Sequence, residues 1–268
     1  MEELMLVRYG AEDNKAPFRA PDEPPRRGTD VIVRSRRGVE WGRVVCRIPE
    51  DCDKLRDQKP EGDILRACNG KDYEKREEIK QAEQEEYQYC REAIERHGLP
   101  MQLIRVEHLF GGNKILFFFK ADRRVDFRDL VRDLAKKYKT RIEMRQVGVR
   151  DEARLLGLYG CCGRELCCRA FMNELKPVPM KMAKAQKSTL DPAKISGRCG
   201  RLKCCLRFEN DQYRTLKKNL PRRGATVRTA DGDGVVVGYH VLKQSVDVKL
   251  DDDTHETFSA GEVEVVKD

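Results

Sequence analysis

The alternation of apolar and polar residues predicts strands at both ends of the chain. "LMLVRYG", beginning at Leu4, has strand character, and "DVIVRSRRGVEWGRVV" predicts a hairpin with Gly38 and Gly42 in its turn region. A proline-rich, charged connector is predicted from the end of this first strand through "APDEPPRRG", and "IPEDCDKLRDQKPEGD" predicts a polar connection. The tail alternates again, with turns predicted at 231–234 and 251–253. We therefore expect small antiparallel β-barrel-like parts at the N- and C-termini.

The middle of the chain has a helical period instead. Residues 71–98 predict a long helix with one narrow apolar side, and "VDFRDLVRDLAKKYK" predicts an amphipathic helix with Asp126 as its N-cap. "MQLIRVEHLFGGNKILFFFKAD" predicts two strands around a Gly-Gly-Asn turn, and "TRIEMRQVGV" a further strand. The order helix–strand–strand–helix–strand predicts an α+β fold with a helical layer on a sheet.

Residues 150–213 are rich in glycine and cysteine but poor in apolar side chains. Apolar burial is too sparse there for an independent core, so we expect an irregular metal segment with a possible short helix. The chain then divides into four parts. They are a β-rich part (1–60), an α+β domain (61–150), a cysteine-rich segment (151–215) and a barrel-like tail (216–268).

Seven of the 11 cysteines lie within residues 161–205. No apolar run approaches the ~20 residues that span a bilayer, and the N-terminus lacks the pattern of an export signal. We therefore expect a cytoplasmic protein without membrane insertion. In that reducing compartment, clustered cysteines are more often metal ligands or redox groups than structural disulfides.

The clustered cysteines belong to a repeated motif. "GCCGRELCCRAF" begins at Gly160 and "GRCGRLKCCLRF" at Gly197. Both contain a C-x4-C spacing, and adjacent cysteines seldom ligate one ion together. We rank as metal ligands Cys162, Cys167, Cys199 and Cys204, with Cys168 and Cys205 as alternates. Cys161 has no counterpart, because Arg198 occupies its place.

Spacing alone leaves zinc and an iron–sulfur cluster equally open. Buried free thiols and a disulfide switch are weaker explanations, because packing does not account for repeated glycine-flanked cysteines. Cysteine catalysis needs a nearby base, yet His97, His108, His240 and His255 all lie outside the motifs. With no nucleotide-binding or metalloprotease motif either, we predict that the protein is not an enzyme.

The cysteine region is also the most basic part of the chain. Residues 154–223 contain 17 Lys/Arg against 5 Asp/Glu, a local charge of +12 in a chain whose net charge is +8. Such a surface suits RNA or an acidic protein, with Arg164, Arg201 and Lys203 as candidate contacts. Its aromatic residues are too few and too scattered for a base-stacking platform.

"IEMRQVGVRDEARLLGLYGCCGRELCCRAF" and "PVPMKMAKAQKSTLDPAKISGRCGRLKCCLRFEND" resemble the bacterial RicT (YaaT) family, whose C-terminal domain is named from a yeast polymerase suppressor. "RGVEWGRVV", "GNKILFFFKADRRVDFRDLVRDLAKKYKTRIEMRQ" and "GATVRTADGDGVVVGYHVL" also fit, so the resemblance covers most of the chain.

The resemblance implies a regulatory subunit that acts with RicA and RicF in a complex carrying [4Fe–4S] clusters. That complex assists RNase Y in processing and turnover of messenger RNA, and in spore formers it influences sporulation. The six paired cysteines match the family pattern, whereas Cys161 stands where a residue such as proline is usual. The resemblance thus places iron–sulfur ahead of zinc. The alternatives are a stand-alone RNA-binding module with a structural zinc site and a thiol redox protein.

Overall fold

The chain divides into two compact units, Met1–Glu174 and Leu175–Asp268. The computed structural model describes residues 3–172 and 175–267. The boundary falls inside the third predicted part, 151–215, so the first cysteine motif belongs to the first unit and the second motif to the second unit. The division into four parts stays a prediction. None of the helices within the described ranges is long and apolar enough to cross a membrane.

The first unit begins with five strands whose pairing closes on itself. They are β1 (Leu4–Tyr9), β2 (Asn14–Arg19), β3 (Asp30–Ser35), β4 (Gly38–Arg47) and β5 (Gly62–Ala67). The strand order is β1-β2-β5-β3-β4, and β4 pairs back with β1. Fully buried side chains such as Val7, Phe18 and Val33 fill the interior. One pairing, β2 with β5, is parallel, which differs from the antiparallel order that we expected.

Two strands lie where the sequence analysis placed connectors. β2 contains Pro17 and polar residues, which hide its strand character, but Phe18 is fully buried. β5 begins in the predicted polar connection, which also contains α1 (Asp53–Arg56). A Cβ added at Gly62 would lie 1.7 Å from the Arg34 carbonyl oxygen, so the approach of β5 to β3 requires glycine. Tertiary pairing stabilises these strands, and local pattern does not reveal it.

The central layer has the predicted order of elements. It consists of α2 (Gly70–Arg96), β6 (Gln102–His108), β7 (Lys114–Lys120), α3 (Arg128–Tyr138) and β8 (Arg141–Gln146). β7 is the middle strand, antiparallel to β6 and parallel to β8. Cys90 and Ala93 of α2 and Leu134 of α3 pack against Val106 and Phe117 of the sheet. The two helices therefore cover one face, as the periodicity predicts.

The helix ends are only partly as expected. Asn69 and Asp72 form a capping box at the start of α2, and Gly98, with φ +60°, follows its end. For α3, however, the N-cap is Phe127 and not Asp126. The Asp126 carboxylate instead accepts from the Arg128 backbone N–H at 3.2 Å and forms an ion pair with the Arg128 guanidinium.

The segment expected to be irregular contains several short helices. They are α4 (Val149–Leu155), α5 (Cys167–Ala170), α6 (Met180–Ala185), α7 (Pro192–Ile195), α8 (Cys205–Phe208) and α9 (Asn210–Lys218). Leu155 of α4 packs with Leu116 and Phe118 on the second face of the central sheet. The expectation of a largely irregular segment was therefore wrong in this respect.

The second unit has its own sheet and core. Its strands are β9 (Thr226–Thr229), β10 (Gly232–His240), β11 (Ser245–Leu250), β12 (His255–Ser259) and β13 (Glu264–Lys267). All pairings are antiparallel, in the order β12-β11-β10-β9-β13. Val227, Val236 and Val248 form the core, and Tyr213 and Leu216 of α9 pack on it. The expected strands are present, but the sheet is open, with β12 and β13 at its two ends.

Candidate metal centre

The first cysteine motif folds into a tight loop closed by two backbone hydrogen bonds. The Gly160 N–H donates to the Arg164 carbonyl at 2.8 Å, and the Gly163 N–H donates to the Gly160 carbonyl at 3.0 Å. An antiparallel bridge between Tyr159 and Glu165 flanks the loop. The backbone therefore determines where the loop cysteines project.

The second motif has the same closure. The Gly197 N–H donates to the Arg201 carbonyl at 2.8 Å, and the Gly200 N–H donates to the Gly197 carbonyl at 3.0 Å. Ser196 and Leu202 form the matching bridge. The repetition seen in the sequence is thus a repetition of backbone conformation.

Glycine is required at one position of each loop. Gly163 has φ +75° and Gly200 has φ +73°, which is the left-handed region that side-chain-bearing residues rarely adopt. In both motifs this glycine directly follows the first ranked cysteine. The tight turn after the cysteine accounts for the Cys-Gly pair in both repeats.

The loop sulfurs lie close to the glycine that opens each motif. A Cβ added at Gly160 would be 3.2 Å from the Cys162 Sγ, and one added at Gly197 would be 3.8 Å from the Cys199 Sγ. The glycine that opens each motif therefore leaves space for the cysteine sulfur. This space is tighter in the first motif, where the distance to the sulfur is shorter.

A single helical turn follows each loop. The Phe171 N–H donates to the Cys167 carbonyl, and the Phe208 N–H donates to the Cys204 carbonyl, both at 3.1 Å. Cys167 and Cys204 thus have matching places at the start of these turns. Each motif presents one cysteine from a glycine loop and one from a helical turn.

The six paired cysteines differ in accessibility. Cys162 is exposed, and Cys167, Cys199 and Cys204 are partly exposed. Cys168 is buried, with 4% of its surface exposed, and burial, followed by the nearby Glu209, raises the pKa of Cys205. Because metals bind the thiolate, accessible thiols are better suited as ligands than buried ones. Cys205 is partly exposed like Cys167, Cys199 and Cys204, so accessibility separates only Cys168 from the others, and the ranking stays a prediction.

All 11 cysteines are free thiols. Within residues 3–172 and 175–267, no three His, Cys, Asp or Glu side chains are grouped so that they could hold a metal ion. The donor chemistry nevertheless fits a soft metal or a cluster, because accessible, polarisable sulfurs project from loops of fixed geometry.

The candidate contact residues fall into two kinds. Arg164 and Arg201 have exposed side chains, while their carbonyls close the loops. Lys203 is partly buried, and its Nζ donates to the Lys194 carbonyl while its backbone N–H donates to the Ile195 carbonyl. The two arginines are therefore available for a partner, whereas Lys203 stabilises the second motif.

Sequence reasoning missed the residue that attaches the first motif to the N-terminal sheet. The Arg169 Nε donates to the Asp13 carboxylate at 2.5 Å, and the Lys15 Nζ donates to the Arg169 carbonyl. A Cβ added at Gly157 would lie 2.4 Å from the Arg169 Nη1, so the guanidinium packs against that glycine. The one available signal was the alignment, which places Arg169 opposite Leu206.

The second motif is attached differently. Leu206 is buried, and the Gln186 side-chain amide of the segment after α6 donates to the Leu206 carbonyl. The Arg207 Nη1 donates to the Pro177 carbonyl at 2.9 Å. An apolar side chain and neutral acceptors replace the ion pair of the first motif.

Comparisons with known proteins agree with the resemblance seen in the sequence. The PSP1 C-terminal conserved region matches residues 62–147, and the third domain of PSP1-like proteins matches residues 177–220. The stage 0 sporulation protein YaaT of Bacillus subtilis (strain 168) is 47% identical over 220 residues, which cover 82% of this chain and 80% of the relative. An uncharacterized protein of Schizosaccharomyces pombe is 44% identical over 55 residues, 20% of this chain and 7% of the relative. No solved structure matches the chain.

Proposed function

The chain belongs to the family of the sporulation protein YaaT, and we propose that it is a non-enzymatic, iron–sulfur-binding regulatory subunit in messenger RNA processing. In this proposal it acts in the cytoplasm with RicA- and RicF-like proteins and assists RNase Y, and in spore formers this activity influences sporulation. The family resemblance supports the partners and the RNA role.

One observation supports the cluster in particular. Two segments 37 residues apart fold into the same glycine loop and helical turn, and each places two cysteines at matching positions. Packing alone gives no reason to repeat such an arrangement, whereas thiolate ligation requires defined sulfur positions. We propose Cys162, Cys167, Cys199 and Cys204 as ligands of a [4Fe–4S] cluster.

The remaining residues of the motifs would support ligation. Cys168 and Cys205 are the alternates, and a partner protein could supply a further ligand. An iron–sulfur cluster supplies a site whose charge and integrity respond to oxidation and to iron supply. The exposed Arg164 and Arg201 each lie beside a loop cysteine in the sequence, and each is a proposed contact for a partner.

The ligand set is tested by anaerobic purification followed by iron and sulfide analysis and absorption and electron paramagnetic resonance spectra. We expect a brown protein with about four irons per cluster. Replacing Cys162 or Cys199 with serine should abolish most of the cluster. Cys46→Ser is the matched control, because Cys46 is also partly exposed but lies outside both motifs. A colourless protein with stoichiometric zinc would contradict the cluster and favour a structural zinc site.

A further inference from the structure

A cavity of about 260 Å³ lies in the first unit, away from both cysteine motifs in the chain. All of its lining residues lie between Arg8 and Phe110, on β1 and the β1–β2 turn, β3, β4, α2, β6 and the residues directly after β6. Its walls combine buried carboxylates, arginines and aromatic rings. Of these lining groups, Asp13 is also the ion-pair partner of Arg169 in the first cysteine motif, and the proposed cluster ligands are not among them.

One buried carboxylate oxygen in this cavity lacks a partner. Glu107 has only 9% of its side chain exposed; its Oε1 accepts from the Ala11 N–H at 2.7 Å and pairs with Arg37 at 2.6 Å. The second oxygen, Oε2, is buried and has no hydrogen-bond partner among the atoms that the structure describes. Leaving such an oxygen unsatisfied destabilises the folded chain. A ligand that donates a hydrogen bond there would remove this cost.

A flat cationic platform lines the same cavity. The Arg76 guanidinium lies 4.2 Å from the centroid of the Trp41 ring, and Phe110 packs against Trp41 with ring centroids 6.0 Å apart. This cation–π contact holds the guanidinium at the Trp41 ring. Nucleobases stack on aromatic rings and on arginine planes of this kind.

The cavity also has cations suited to a phosphate. Lys80 and Arg105 line it and are exposed, which places them on its solvent side. Lys80 also pairs with Glu77 at 2.5 Å, and the Arg105 Nη1 donates to the Leu155 carbonyl at 3.2 Å, so a phosphate would share these cations with their present partners. Among the lining carboxylates, Asp30 pairs with Arg43 at 2.6 Å, the single Arg37 serves both Glu40 and Glu107, and Glu83 accepts from the His108 N–H at 2.9 Å. An anionic group at the solvent side would meet Lys80 and Arg105 there.

We propose that this cavity binds a guanine nucleotide. A carboxylate only accepts hydrogen bonds, and the guanine edge presents two adjacent donors, N1–H and the N2 amino group. Adenine presents the acceptor N1 beside its single amino group, so the Glu107 carboxylate discriminates against it. The base stacks on Arg76, and Lys80 and Arg105 contact the phosphate.

The test is calorimetric titration of the full chain with GMP, GDP and AMP. We expect GMP and GDP to bind at least about tenfold more tightly than AMP, because one charge-assisted hydrogen bond distinguishes the bases. Absence of binding by GMP and GDP, or equal or tighter binding of AMP, would overturn the proposal.

Two variants separate recognition from stability. Glu107→Gln should reduce the preference for guanine at least about tenfold, because an amide donates as well as accepts and suits adenine. Arg76→Gln should weaken GMP and AMP binding alike and leave the buried Glu107 pair intact. Glu78→Gln and Arg91→Gln, exposed on α2 outside the cavity, are the matched controls. An unchanged preference in a folded Glu107→Gln protein, or full affinity in Arg76→Gln, would exclude this site.

Discussion

Arg169 and Leu206 occupy equivalent positions in the two cysteine motifs. Each residue attaches its motif to neighbouring parts of the chain, but through a different kind of interaction. Arg169 is 29% exposed and pairs with Asp13, which is 19% exposed, so solvent screens this ion pair only in part. Leu206 is 7% exposed and contributes apolar burial. The first motif therefore depends on a directional ion pair, and the second depends mainly on packing.

Replacing Arg169 with leucine, the residue of the second motif, should loosen the first motif. The change removes a charge-assisted hydrogen bond worth about 1–2 kcal/mol and leaves the Asp13 carboxylate without that partner. We expect the buried Cys168 thiol of the metal-free protein to be alkylated about tenfold faster, because local opening becomes more frequent. The measurement is mass spectrometry of a timed alkylation series.

Arg164→Leu is the control for this experiment, since Arg164 is exposed in the same motif and its side chain does not attach the loop. Alkylation of Cys168 should be unchanged in that variant. Equal rates in Arg169→Leu and the unaltered protein would show that the Asp13 ion pair does not hold the motif in place.

At the scale of elements, the sequence predicts those helices and strands that the local pattern of apolar and polar residues determines. α2 and the β6–β7 hairpin were found because their apolar periodicity is long and their ends carry Gly98 and the Gly-Gly-Asn turn. β2 and β5 were missed because they are polar or contain proline, and pairing with other strands stabilises them. Local pattern therefore gives the central layer but not the closure of the N-terminal sheet.

The cysteine motifs show the same division. Alignment of the repeats predicted the equivalence of Cys162 with Cys199 and of Cys167 with Cys204, and the backbone has that equivalence. It did not predict that Lys203 is attached to the Lys194 carbonyl. Such contacts join segments that are distant or irregular in sequence, and no periodicity marks them.

The shared loop conformation gives a prediction for two glycines. Gly163→Ala and Gly200→Ala should each strain their loop by about 1–2 kcal/mol, because both positions have positive φ. Hydrogen exchange should then report about tenfold less protection at the Gly160 amide in the first variant and at the Gly197 amide in the second.

The matched control is Gly70→Ala at the start of α2. Gly70 has no positive φ, and an added Cβ would meet no atom within 4 Å. Protection of both loop amides should stay unchanged in this variant. If either loop variant also kept full protection, its glycine would not be a conformational requirement, and the two loops would not be equivalent in energy.

At the scale of the whole molecule, the question is whether the basic charge recruits proteins or RNA. The region from Arg154 to Arg223 carries a charge of +12, against +8 for the entire chain. Charge of this density attracts either an acidic protein or a phosphate backbone. Of the three candidate contacts, Arg164 and Arg201 have exposed side chains. The charges of these two residues can be reversed without removing an internal hydrogen bond like the one that the Lys203 Nζ donates to the Lys194 carbonyl.

We expect the double variant Arg164→Glu, Arg201→Glu to lose association with RicA- and RicF-like partners about tenfold, since each reversal replaces attraction by repulsion at the interface. Co-purification and titration with the partners measure this loss. RNA affinity of the chain alone, recorded against salt concentration, should keep its slope, because in the proposed function these two arginines contact partner proteins and release no counterions from RNA. The double variant Arg123→Glu, Arg124→Glu, at exposed residues before α3, is the control and should leave partner association unchanged.

The opposite result for Arg164→Glu, Arg201→Glu would be a smaller salt slope with full partner association. That result would identify the loops of Arg164 and Arg201 as RNA-binding, because lost phosphate contacts reduce the number of counterions released.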